Sequence, residues 1–263
     1  MEILQYDFIQ NAIIAGVLIS IAAGIIGSLV VVNKITFLTG GIAHSAYGGI
    51  GLAVFLGIPI LFGATIFALL TAVLIAFITL KNKSRIDAII GMMWASGMAI
   101  GIVLIDLSSG YNVDLMSYLF GSIIAVSGED LLYMVLLDAF ILSVVIFFYK
   151  EILAVSYDSE FAGLRGINVK FFYTLILILS ALCVVAAIKA VGLILVIALL
   201  TIPTFIAEAF SKRLSSMMII SSILATIFTL CGLFVSYLYD ISSGASIIMI
   251  SVVALAIVKI LKK

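Results

Sequence analysis

Charge is what this chain has least of. Among its 263 residues, 10% are Asp, Glu, Lys or Arg, while 65% are hydrophobic and the mean hydropathy is +1.44. Soluble domains carry about 25% charged residues. A soluble globular core is therefore excluded, and an integral membrane protein with short loops is left. Histidine is scarcer still, with His44 the only one. No H-E-x-x-H pair exists, and a single imidazole offers little to an intramembrane enzyme. Cys183 and Cys231 both sit in apolar runs and read as buried thiols, which excludes a disulfide framework. No phosphate-binding loop, G-x-x-x-x-G-K followed by Ser or Thr, occurs, so nucleotide hydrolysis has no site of this type here. The alternation of a membrane β-barrel is missing as well. The first apolar run has no basic flank before it, which argues against a cleavable signal.

What is present is a series of long apolar runs. Each is near the ~20 residues needed to cross a bilayer, and lipid favours helices because they close their own backbone hydrogen bonds. The expected architecture is all-α, one polytopic transmembrane domain over 1–263. About nine spans are predicted, near 9–32, 35–57, 58–80, 86–105, 131–149, 170–188, 191–210, 215–238 and 246–261. Segment 114–127 is too short and punctuated to cross, and reads as re-entrant or interfacial. With the N-terminus outside, nearly all Lys and Arg fall on one side, from Lys34 and the Lys81/Lys83/Arg85 cluster to Lys259, Lys262 and Lys263. Only Lys189 falls on the other. The positive-inside rule makes the rich side, with the C-terminus, cytoplasmic. The acids Glu2, Asp7, Asp106, Asp114, Glu129, Asp130 and Asp240 sort outward.

The stretch Thr39–Leu52 carries the histidine among small residues. Gly40, His44, Gly48 and Gly51 share one helical face. Such a face admits a neighbouring backbone closely, or leaves room for a solute. From Lys34 to His44 a helix rises about 15 Å, near the middle of a ~30 Å core. A polar ionisable group at that depth faces a bundle interior or a watery path. It reads either as a metal ligand or as a histidine bonded to a neighbouring helix. Asp138 lies about 18 Å before Lys150 and is also buried in lipid depth without an evident partner. Asp240 closes the eighth span before Ser-Ser-Gly and is an outer cation ligand or an ordinary turn acid. Asp106 and Asp114 could join it in an acidic outer mouth. Pro203 interrupts the seventh span and favours a kink. The longest cytoplasmic connection, 151–169, is a surface loop helix or a docking element.

Five stretches in order, TGGIAHSAYGGIGLA, YNVDLMSYLFGSIIAVS, YDSEFAGLRGINV, AVGLILVIALLTIPT and YLYDISSGAS, resemble the membrane permease of zinc/manganese/iron ATP-binding-cassette importers. The resemblance implies a permease subunit in the plasma membrane that moves a divalent metal ion by alternating access. It implies a homodimer, a cytoplasmic ATPase dimer that binds and hydrolyses ATP, and an extracellular metal-binding protein. No cofactor of its own and no nucleic acid are implied. Glu160, Phe161, Ala162 and Gly166 match the E-A-A-x-x-x-G coupling motif, with Phe161 in place of an alanine. The family's metal-path histidine corresponds to His44 and its later acid to Asp240. Gly40 stands where the family commonly has an aspartate, so the liganding set needs completion by another residue, such as Asp138 or Asp240, or serves a different substrate. Two alternatives are a permease for a metal chelate or cobalamin-like compound and a secondary transporter using Asp138 as its ion site.

Overall fold

The computed structural model describes residues 7–81, 86–108 and 120–261. Among these the chain folds into eleven α-helices and one 3-10 turn, with no strand. The helices are α1 (Asp7–Val32), α2 (Thr36–Leu56), α3 (Ile60–Lys81), α4 (Ile86–Asp106), α5 (Gly128–Phe147), α6 (Tyr149–Tyr157), α7 (Ser159–Leu164), α8 (Val169–Val191), α9 (Leu193–Glu208), α10 (Leu214–Tyr239) and α11 (Ser243–Leu261). The 3-10 turn is Ile123–Ala125.

Nine of these helices coincide with the nine apolar runs, but seven are both long and apolar enough to cross a bilayer on their own account. The two others depart for physical reasons. α2 is diluted by its glycines, serine and histidine. α9 has only 16 residues, because Gly192 at φ +84° ends the preceding helix and Glu208 closes this one. The fifth run also differs. Its helix begins at Gly128, under a capping box in which Ser127 and Asp130 bond each other's backbone, and ends at Phe148, where φ −105° and ψ 23° turn the chain into α6. Reciprocal capping satisfies donors that a helix start otherwise leaves open.

Small residues decide how the helices pack. Without a hydrophobic driving force between lipid-bathed helices, close van der Waals contact and buried hydrogen bonds carry the association. Of the seven long apolar helices, α1 and α8 are the most enclosed. α1 lies along α10, where a Cβ at Gly24 would stand 2.3 Å from the Ser222 nitrogen. Ser20 and Thr229 hydroxyls pair there at 3.0 Å, and Ser222 Oγ donates to the Ile21 carbonyl at 3.2 Å. Thr204 and Ser221 tie α9 to α10 at 2.7 Å. The outer faces of α4, α5, α10 and α11 expose Val103, Leu136, Phe140, Ile223, Phe234 and Val253 instead, the inverted pattern suited to lipid or a partner. Cys183 is buried in α8, but Cys231 lies on the exposed face of α10, so only one thiol matches the sequence expectation.

Of segment 114–127, residues 120–127 are described. They do not cross the bundle. Gly121, at φ +72°, presses on the end of α8, where a Cβ would meet the Val191 carbonyl carbon at 2.3 Å. Ser122 N donates to the Lys189 carbonyl at 3.1 Å, and Ile123 is fully buried.

Candidate functional site

α2 is the helix on which the site depends. It ends because Gly57 takes φ +68°, a left-handed cap, with Pro59 beyond it. Every residue from Leu38 to Gly51 is buried. The glycine face is filled by neighbouring helices rather than by an open channel. Cβ atoms at Gly48 and Gly51 would stand 2.9 and 2.3 Å from the carbonyl oxygens of Gly97 and Gly101 on α4. One at Gly40 would meet Ile197 Cδ1 of α9 at 2.9 Å. Position 40, where the family resemblance leads one to expect an aspartate, thus carries no side chain, and Ile197 occupies the space in front of it.

His44 is 6% exposed and lies in the seam between α2 and α4. Its ring stacks on the indole of Trp94, with centroids 3.7 Å apart and planes 8° from parallel. Trp94 Nε1 in turn donates to Met98 Sδ one turn along α4 at 3.2 Å. His44 Nδ1 is buried and has no hydrogen-bond partner. A buried imidazole nitrogen left open is costly, and this one is not bonded to a neighbouring helix.

The other expected site residues are distributed. Asp138 sits in α5, 3% exposed, and neither carboxylate oxygen has a hydrogen-bond partner. α5 packs on α1 and α8, whereas α2 packs chiefly on α3, α4 and α8. Asp240 is exposed at the end of α10, itself in the left-handed conformation at φ 51°, and the adjoining turn is held by Ser236 Oγ donating to the Ile241 carbonyl at 2.6 Å. Asp106 is the exposed last residue of α4. Asp114 lies outside the described residues. Among the described residues no three His, Cys, Asp or Glu side chains come together as a metal-binding group.

Two features escaped sequence reasoning. Lys189, the one basic residue that the sequence reading sorts apart from the others, forms a salt bridge with Asp130, which Ser127 also bonds. The pair borders a cleft of about 760 Å³ lined by Pro59, Glu129 and Tyr133. The second is the Trp94 stack. Its one sequence signal was that the sole tryptophan lies in an otherwise aliphatic run.

At the opposite end, the 151–169 connection forms two short helices. Asp158 caps α7 by accepting from Phe161 N at 2.9 Å. Ala162 is fully buried, while Phe161 and Leu164 are 49% and 89% exposed. Gly166 reverses the chain at φ +82°. Asn33, just past α1, donates to Ser156 Oγ of α6 at 2.9 Å, linking this connection to the bundle.

Known proteins share this arrangement. The chain is 45% identical to an uncharacterized membrane protein of Synechocystis, slr2045, over 97% of its length and 90% of that protein's. It is 31% identical to the manganese transport system membrane protein MntC of Listeria monocytogenes, covering 95% of this chain and 89% of that one. Among solved structures, PsaBC from Streptococcus pneumoniae in complex with Fab superposes with a TM-score of 0.88 at 32% identity, over 97% of this chain and 92% of that one. The profile of the ABC-3 family, the ABC 3 transport family, matches residues 5–262, so the multi-helix membrane protein described above belongs to that family.

Proposed function

We propose that this chain is the permease subunit of an ATP-driven importer for a divalent transition-metal ion, manganese foremost. The observation that carries the reading is the whole-chain likeness to a manganese transport system membrane protein, joined to a lone buried imidazole with an open nitrogen. All nine apolar helices are spans in this reading, including α2 and the short α9. The N-terminus is outside and the C-terminus cytoplasmic. Two copies assemble around a shared path, two ATPase subunits bind below, and an extracellular metal-binding protein delivers the ion above.

α7 supports the coupling role. It is short, capped by Asp158, anchored by Ala162, and presents Glu160, Phe161 and Leu164 outward. ATP-driven closure of the partner subunits moves α7 against α6, and the Asn33–Ser156 bond passes that displacement to α1. Asp240 and Asp106 form an acidic mouth that raises local cation concentration. His44 is the contact at half depth. A single nitrogen donor from each copy binds weakly, which suits a path that must release its ion as well as capture it. Asp138 is a separate buried acid in α5, which packs chiefly on α1 and α8, and Pro203 is the hinge of α9. A metal chelate requires a wide cavity, and α2's glycine face, filled by α4 and α9, argues for a bare ion.

Reconstitution with the partner ATPase in vesicles, scanning manganese, zinc and iron, tests the proposal. ATP-dependent uptake of one of them is expected, with manganese strongest. His44→Ala abolishes that uptake while assembly persists. Uptake that survives the substitution makes the imidazole structural.

A further inference from the structure

Between α5 and α10 the surface carries a groove that the transport path does not use. Both helices pack on α1 but scarcely on each other, which leaves a cleft of about 680 Å³ between them. Leu142 and Ile146 form one wall, Ile219 and Ile223 the other, and Ile21 and Ile25 of α1 the floor. The members of each pair are one helical turn apart on one face, so the groove runs along the helix axes. From Ser215 to Ile223 it follows α10 for about 12 Å. It opens sideways, with Ile146 and Ile219 on its rims 72% and 61% exposed.

The lining offers almost nothing to hydrogen-bond. Ser222 already donates to the Ile21 carbonyl. The remaining hydroxyls are those of Ser215 and Tyr149. In the spanning reading α5 descends toward Tyr149 and α10 rises from Ser215, so these two residues mark the cytoplasmic end. A polar solute or an ion finds no ligands along the rest of the groove, whereas a hydrocarbon chain requires none.

The cytoplasmic end is also the basic one. Lys150 follows Tyr149 directly, and Arg213 and Lys212 stand two and three residues before Ser215. All three are exposed, and among the described residues none forms an ion pair, although Glu151 and Glu208 are near in sequence. Basic residues at the cytoplasmic edge of a cleft between spans attract anionic headgroups. Tyrosine at that level places its ring against hydrocarbon and its hydroxyl toward water. A second copy of the chain seated here about a twofold axis would set the two basic ends against each other, an unfavourable meeting of like charges.

We propose that the groove between α5 and α10 holds a chain of an anionic phospholipid of the cytoplasmic leaflet, with its phosphate at Lys150, Lys212 and Arg213. The choice of leaflet rests on the orientation given under the proposed function, but the binding itself is measurable without transport.

Native mass spectrometry of the purified permease–ATPase complex, titrated with dioleoyl phosphatidylglycerol or dioleoyl phosphatidylcholine, tests this. The anionic lipid should bind one site per permease protomer at least about fivefold more tightly, the factor that a single basic contact supplies. Lys150→Ala, Lys212→Ala and Arg213→Ala together should abolish that preference while phosphatidylcholine still binds. Ile219→Trp, which fills the groove and leaves the cations in place, should weaken both lipids at least about tenfold, the loss expected when two chain methylenes are displaced. Ile223→Phe serves in its place if the tryptophan variant does not assemble. Equal affinity for the two lipids in the wild type, a preference that survives the triple substitution, or lipid binding unchanged by the groove-filling variants overturns the proposal. Folded protomers that no longer pair in both groove-filling variants would show that a second copy covers the groove, and would overturn it too. Absence of metal uptake, with these affinities as expected, would sink the metal path and leave the lipid site standing.

Discussion

Among the described residues, His44 at Nδ1 and Asp138 at both oxygens are buried without a hydrogen-bond partner, and the two groups are legible to different degrees. The depth of His44 and Asp138 follows from counting helical rise from Lys34 and Lys150. Their surroundings do not, because the groups that cover them come from elsewhere in the chain. Trp94 reaches His44 from another helix, and nothing local to Thr39–Leu52 announces it. Asp138 has no evident partner in the sequence, and among the described residues its oxygens have no hydrogen-bond partner. A carboxyl group kept in that state costs stability, and replacing buried charge with a well-packed apolar residue often gains about 1–4 kcal/mol. Asp138→Leu should therefore raise the thermal unfolding midpoint of the purified complex while lowering metal uptake. Uptake equal to wild type would strip Asp138 of a part in transport, and a lowered midpoint would mean that an unseen partner had been lost.

Helices were the most readable level, since nine long apolar runs leave little choice of fold in lipid. The misreadings fall where backbone chemistry overrides hydropathy. Ser127 starts α5 three residues before the expected onset, and Phe148 ends it without proline or glycine to signal the break. The glycines of α2 were readable as a close-packing face or as space for a solute. Only the arrival of Gly97 and Gly101 from α4 decides between the two. α7 is the element where a short motif carries mechanical meaning. Its reversal at Gly166 uses φ +82°, a conformation that costs a β-branched residue heavily. Gly166→Val should strain this turn and misalign α7. ATP hydrolysis by the reconstituted complex should then continue while metal uptake falls at least about tenfold, a loss of roughly 1.4 kcal/mol in coupling. Uptake and hydrolysis falling together in proportion, or neither changing, would remove α7 from the coupling path.

Across the whole molecule, the orientation expected from the sequence rests on a count of basic residues with one exception, Lys189. Lys189 forms a salt bridge with Asp130, so the C-terminal end of α8 carries an ion pair rather than a free cation. At the other end Lys34, Lys150, Arg165 and Lys170 stand near the α6–α7 connection, and Lys212 and Arg213 precede α10. α10 has 26 residues, about 39 Å of rise, enough to carry the chain from that basic end to Asp240 on the far side. The two ends can be told apart by a membrane-impermeant maleimide in a background with Cys183→Ala and Cys231→Ser. In intact cells Asp240→Cys should label and Glu160→Cys should not, and opening the membrane should make both react. The reverse pattern would invert the protein, putting α7 outside, beyond reach of any cytoplasmic ATPase. Labelling of both in intact cells would mean that one of the nine helices does not cross, and α9, the shortest of them, would be the first to test.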